Sequence, residues 1–208
     1  MPIDLVGRVS EVAEIDQFLD RLVASGPVGL VLEGPAGIGK SSLWTTAVVA
    51  ARDRGIVALT ARPTEAEATL GFQALADLLD PLGAEVNGLA APQRHNLAIA
   101  LLRDEPGPGE TIDAQAVAVA AANAVRSAAM RQPILIAIDD APWLDHASAT
   151  AIAFLIRRLA DRRVGVLLSQ RVETASPAPL ELERAVPTER TWLGPLGRAD
   201  LHVLLASR

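Results

Sequence analysis

The chain has 208 residues with 19 basic and 25 acidic side chains, a formal net charge of -6, and no cysteine. One domain of this size buries roughly 70% of its unfolded surface without metal or disulfide support, and the missing cysteines leave no oxidised framework. No apolar run reaches the roughly 18 residues that span a bilayer, the first residues lack a signal-peptide core, and the acidic balance argues against this segment holding a nucleic-acid backbone, so a cytoplasmic domain is expected.

Ser10 is placed to cap a helix whose apolar positions Val12, Ile15, Phe18, Leu19, Leu22 and Val23 follow the 3.6-residue period, and Gly26-Pro27 stops it. Val28 to Glu33 reads as a buried strand, and Ser41 to Arg54 as a helix with Leu43, Ala47, Val48 and Ala51 on one face. Between them lies Gly34-Pro35-Ala36-Gly37-Ile38-Gly39-Lys40-Ser41, the GxxxxGK[ST] phosphate-binding pattern, with Ser42 just beyond it. Strand, glycine loop and helix is the order in which backbone amides of residues 37 to 41 point at phosphates and the helix dipole adds partial positive charge. Lys40 is the single lysine against eighteen arginines. A flat guanidinium cannot curl under such a loop, whereas a compact ammonium on a flexible stem can reach the β- and γ-phosphates. Ser41 is the expected magnesium ligand.

Gly55 ends that helix and Ile56 to Thr60 forms a second strand. In the stretch 61 to 110, Phe72 to Leu79 and Pro92 to Arg103 look helical, and Asp104 to Glu110 reads as a flexible acidic loop with solvated charges. Thr111 opens an alanine-rich helix to about Met130, and Ile134 to Ile138 is a strand that ends in Asp139-Asp140. A helix from Ser148 to Asp161, a strand from Val164 to Ser169, a short strand near Thr191 to Leu193 and a helix from Arg198 complete the chain. Strands alternating with helices, several apolar on both faces, call for an α/β fold with a parallel sheet covered on two sides.

A strand buried in such a sheet delivers a carboxylate at its C-terminal edge beside the phosphate loop. Asp139 is therefore the candidate magnesium ligand, largely through water, and Asp140 the group that orients or deprotonates the attacking water. Asp140 is one methylene shorter than glutamate, which points to slow hydrolysis. Arg171 lies near the γ-phosphate if its strand inserts between the first and third, where it senses that phosphate. Val6-Gly7-Arg8 either contributes to the base pocket or is a turn with a solvated arginine. His95, His146 and His202 show no ligand spacing and read as solvated or capping residues. Trp143 reads as a packing residue under a loop rather than a platform for the base.

Leu5-Val6-Gly7-Arg8, the loop ending Gly37-Ile38-Gly39-Lys40-Ser41, the run Ile138-Asp139-Asp140-Ala141-Pro142-Trp143-Leu144-Asp145 with Ser148, and Leu193-Gly194-Pro195-Leu196 together resemble one family. It is the N-terminal ATPase module of the large ATP-binding LuxR-type transcription regulators, within the signal-transduction ATPases with numerous domains. The similarity runs over nearly the whole chain, including Leu70-Gly71-Phe72 to Leu82 and the Pro92-Gln93-Arg94 helix. The resemblance implies a P-loop NTPase three-layer sandwich with an AAA-type core and strand order 5-1-4-3-2, binding ATP or ADP with Mg2+. It also implies partners in the same polypeptide: a lid or winged-helix element, a helical repeat region and a C-terminal helix-turn-helix, none of them within residues 1–208. The chain would then be an ATP-binding core cut from a longer regulator near the start of its lid, with weakened nucleotide affinity and a possible self-assembly surface on the core.

The function expected from these readings is a regulatory switch, in which ATP binding favours an open, assembling state and hydrolysis returns the inactive one. A small-molecule kinase uses the same loop but brings paired arginines on a lid, and here Arg103 stands alone while Arg157-Arg158 and Arg162-Arg163 lie beside a helix end. An AAA-type module of a non-transcriptional signalling protein is a further alternative. A GTPase needs a second lysine after an asparagine, and the chain has none.

Overall fold

The computed structural model describes residues 5–172, 179–197, 200 and 202–203. Its centre is a five-stranded sheet built from β1 (Val28–Gly34), β2 (Val57–Ala61), β3 (Ile134–Ile138), β4 (Val164–Arg171) and β5 (Thr188–Trp192). The strands run in the order β2-β3-β4-β1-β5 and every adjacent pair is parallel. Read from the other edge this is 5-1-4-3-2, the order the resemblance implied.

Two-sided burial explains the apolar runs. On one face α1 (Val9–Ser25) and α2 (Lys40–Asp53) pack Phe18, Leu22, Leu43 and Ala47 against Leu30, Leu32, Leu135 and Leu167. On the other face α3 (Gln73–Leu79), α5 (Ala91–Ala100), α6 (Ala114–Ala129) and α7 (His146–Arg158) cover Val31, Ile136, Ile138, Val166 and Leu168. Alternate residues of β1, β3 and β4 thus serve two separate cores, whereas the edge strand β5 keeps Glu189, Arg190 and Trp192 exposed. Gly165 permits the closest of these contacts: a Cβ there would lie 2.8 Å from Leu22 Cδ2, so the glycine sets how near α1 approaches β4.

Helix ends shift from their expected positions for local reasons. The first helix begins at Val9 behind Arg8 with no side-chain cap, and the Ser10 hydroxyl donates to Glu11 instead, so Ser10 is not a cap. Asp113 accepts from the amides of Gln115 and Ala116, which starts α6 three residues after Thr111. Asp145 caps α7 at Ser148, which moves its start to His146, and the helix closes at Arg158, short of Asp161. α5 stops at Ala100 rather than Arg103, because Leu102 adopts a left-handed backbone with φ 55°. β2 and β5 are also displaced, and two short helices, α4 (Gly83–Asn87) and α8 (Leu182–Ala185), carry no periodicity long enough to read. The helix expected from Arg198 lies outside the described residues except for Asp200, His202 and Val203. No described helix is long and apolar enough to cross a membrane.

The acidic loop is not simply solvated. His95 projects from α5 between two of its carboxylates, 3.2 Å from Asp104 and 3.1 Å from Glu110, and Glu110 also accepts from the Gly107 amide at 2.8 Å. His95 is thus a tether, not an unengaged surface residue. The hydrogen bond and charge of Glu110, then those of Asp104, raise the His95 pKa above its ordinary value. Contact with the Gly107 amide, then with His95, lowers that of Glu110. A histidine raised on folding contributes fully below its unfolded value of about 6.5 and loses that contribution as pH climbs through the raised value. Glu110, lowered on folding, contributes above its ordinary range and loses this as pH falls through the lowered value. The tether should therefore be tightest in mildly acidic solution and loosen on the alkaline side. An NMR titration that places His95 at or below about 6.5, or Gly107 amide exchange unaffected by pH-corrected alkalinisation, refutes it.

Candidate functional site

The nucleotide loop hangs between β1 and α2. Gly37 and Gly39 take φ values of 73° and 105°, a region that side-chain-bearing residues reach only under strain, so the loop can coil ahead of the helix. α2 then starts at Lys40 with no side chain capping its first turn, which leaves the orphan amides of residues near its N-terminus directed at an open pocket. That pocket has a volume of about 180 Å³ and is lined by Gly37, Gly39, Lys40, Ser41, Ser42, Asp140 and Arg171. Pro35 and Ala36 are exposed at the loop's tip, while Ile38 turns its side chain back onto the α1–α2 core.

Lys40 is only 5% exposed. Its Nζ donates to the carbonyls of Gly34 at 2.9 Å and Pro35 at 2.8 Å, so the ammonium is folded into the loop that it closes. Burial pushes its pKa below the ordinary lysine value; Asp140 opposes this, Arg171 adds to it, and Asp139 also opposes it. Lys40, Asp139, Asp140 and Arg171 thus share one electrostatic environment at the C-terminal edge of the sheet.

Strand register explains the convergence. Ala61 pairs with Ile138 and Ile138 with Leu168, so the next residue on each strand, Arg62, Asp139 and Ser169, falls in one row across β2, β3 and β4. Asp139 is 5% exposed and fully engaged. Its Oδ1 accepts from Ser169 Oγ at 2.6 Å, and its Oδ2 from Arg62 Nη2 at 3.1 Å. Ser169 Oγ in turn accepts from the Asp140 amide at 2.8 Å. That bond needs Asp140 in a left-handed conformation, φ 52° and ψ 52°, which aspartate tolerates better than most residues. The turn carries the Asp140 carboxylate to Arg171, whose Nε and Nη2 donate to it at 3.3 and 3.1 Å. Arg171 is the last residue of β4 rather than a residue beyond it, and it pairs in register with Gly34 of β1.

Arg8 is 6% exposed, not solvated. Its Nη2 donates to the carbonyls of Ile38 and Gly194, both at 2.9 Å, and its Nη1 pairs with Glu11 at 2.7 Å. It thereby ties the phosphate loop to the segment after β5. Val6 is half-buried and Gly7 exposed beside it. Trp143 is half-buried in the turn after Asp140, consistent with packing.

Two residues escaped the sequence reading. Arg62 was detectable once β2 is placed beside β3, because the residue after β2 then faces Asp139. Asp145 is 3% exposed and accepts from the amides of Phe72 at 2.9 Å, Ala74 at 3.4 Å and Ser148 at 2.8 Å. Ser148 Oγ accepts from Leu75 at 3.0 Å. These bonds fasten the start of α3 to the run that begins at Asp139, and nothing in local spacing foretells a partner about seventy residues away.

Residues 4–168 match the AAA ATPase domain family, and the chain belongs to it. It is a P-loop module of the AAA type. No curated protein matches the sequence. Among solved structures, the Aeropyrum pernix ORC1 protein in complex with DNA superposes with a TM-score of 0.62 at 13% identity, covering 100% of this chain and 50% of that one. Cdc6p from Pyrobaculum aerophilum gives 0.60 at 14% identity, with 99% and 50% covered. A chain of the Escherichia coli MS115-1 HORMA:CdnC:Trip13 complex gives 0.57 at 19% identity, with 98% and 68% covered. At these identities the likeness establishes a shared fold. The chain spans half the length of the first two.

Replacing Asp145 by alanine removes a charged acceptor from three amides, two of them in another element. A loss of about 2–4 kcal/mol in a urea melt is expected, with α3 losing amide protection first. A variant within about 0.5 kcal/mol of the native chain shows that Asp145 does not hold α3.

Proposed function

We propose that this chain is the ATP-binding, slowly hydrolysing switch domain of a transcription regulator of the large LuxR type, working in the cytoplasm. The observation that carries the ATPase part is the convergence of Lys40, Asp139, Asp140 and Arg171 around the open end of α2. Membership of the AAA ATPase family supports it. The regulator context rests on the sequence run from Asp139 to Asp145 and on the Leu5 to Arg8 segment. Within that reading residues 1–208 are one core, and its partners are a lid, a repeat region and a helix-turn-helix of the same polypeptide, with self-assembly through the core.

The loop amides and Lys40 would bind the β- and γ-phosphates, Ser42 would border them, and Val6, Gly7 and Arg8 would shape the base side. The donors suit magnesium: Ser41 offers a hydroxyl and Asp139 a carboxylate, both hard oxygen ligands. Among the described residues no group of three or more His, Asp or Glu side chains could hold a metal unaided. The ion would therefore rely on phosphate and water for its other ligands, and it would supply charge neutralisation on the phosphates. Arg171 would read the γ-phosphate.

Slow turnover has a local cause. Asp140 must accept a proton from water, yet both its oxygens are held by Arg171 at 3.1 and 3.3 Å. A carboxylate held at both oxygens by a guanidinium is aimed at that arginine rather than at water until the arginine leaves. Glutamate at this position would reach further past that pair.

Lys40→Ala should abolish ATP binding in calorimetry while the domain stays folded. In the native protein, ATP at about a thousand times its dissociation constant should raise stability by about 4 kcal/mol. An unchanged affinity in the variant, or no thermal shift of folded native protein with Mg-ATP or ADP, overturns the assignment. Asp140→Glu should accelerate single-turnover hydrolysis. A native rate on the order of ten per second or faster is incompatible with a slow switch.

A further inference from the structure

Arg62 has two partners. Its Nη2 donates to Asp139 Oδ2 at 3.1 Å, and its guanidinium carbon lies 5.1 Å from the centroid of the Trp44 indole, within cation–π range. Asp139 Oδ1 is already committed to Ser169, so Oδ2 is the oxygen left for any cation, and the arginine covers it. A divalent ion and a guanidinium on that oxygen repel each other, so the two compete for it. Arg62 is 58% exposed on its side chain and carries a long flexible stem, so it is free to withdraw. The ring beside it offers a second resting place.

Trp44 is not a neutral bystander. It is 4% exposed on α2, three and four residues after Ser41 and Lys40, hence on the same face of the helix one turn below the phosphate loop. Its Nε1 is buried without a hydrogen-bond partner, so the indole is held by packing and by the arginine at its face. The other carboxylate of the doublet is arranged differently: Asp140 is held at both oxygens by Arg171. Lys40, a further cation of the site, is bonded to loop carbonyls.

We propose that Arg62 competes with the divalent cation for Asp139 and, when displaced, keeps only the contact with Trp44 that it already makes, so that filling the metal site changes the charge placed at the face of an indole on α2. Arg62 is in this sense a positioning residue that raises the magnesium concentration the switch requires. The proposal rests on the nucleotide-binding reading above.

The test uses the full chain with Trp143→Phe and Trp192→Phe, leaving Trp44 as the single indole. ADP binding is measured in EDTA and across a Mg2+ titration, for Arg62, Arg62→Ala and Arg62→Lys. Arg62→Ala should keep metal-free ADP affinity within about twofold, lower the half-saturating Mg2+ concentration about three- to tenfold, and remove the magnesium-dependent change in Trp44 emission. Arg62→Lys, which keeps the charge, should restore most of the native magnesium requirement and little of the emission change. If ADP binds normally but native and Arg62→Ala proteins need the same magnesium, or the alanine variant needs more, the competition is overturned and the nucleotide reading survives. If native protein binds no ADP with or without magnesium, both fall together.

Discussion

A carboxylate held 5% exposed at the edge of a sheet must be compensated, and the compensation of Asp139 organises this molecule. Ser169 reaches it from β4 and Arg62 from the end of β2, so side chains stitch three strands in the row just past the last β2–β3 and β3–β4 backbone pairs. The same hydroxyl accepts from the Asp140 amide, which fixes the left-handed turn, and the turn sends one acid toward Arg171 and the chain on toward Asp145. Asp145 then grips the start of α3. From one buried charge a continuous set of bonds runs to the helical layer on the far face.

The site is held under opposed forces. Burial lowers the Lys40 pKa below its ordinary value, while the two acids near it act to hold the proton on. Each acid has its own arginine, and the lysine is bonded to the loop's own carbonyls. Every charged group that would meet a nucleotide is thus already satisfied within the protein. Entry of a phosphate or a cation exchanges one set of partners for another rather than filling unmet valences.

Much of the sheet could be read because its strands are short apolar runs bounded by Gly, Pro and acid, and β3 appears residue for residue as expected. The phosphate loop and the Asp139-Asp140 doublet were legible for the same reason: they are contiguous motifs whose neighbours in sequence are also neighbours in space. Helix starts were less so, since Asp113 and Asp145 take over capping from the more obvious Thr111 and Ser148. The contacts of Arg8, His95 and Arg62 were not legible for a common physical reason. Each works through a partner fixed only by tertiary packing: the Ile38 carbonyl for Arg8, a folded-back loop for His95, and cross-strand register for Arg62.

A chain with a single lysine has an unusual chemical consequence. An amine-selective acylating reagent finds one amine side chain in these 208 residues, and it lies inside the loop that closes around phosphate. Its lowered proton affinity favours the reactive free amine, while its burial blocks approach. Labelling speed at Lys40 would consequently clock how often that loop breathes, residue-specifically and without any engineered probe.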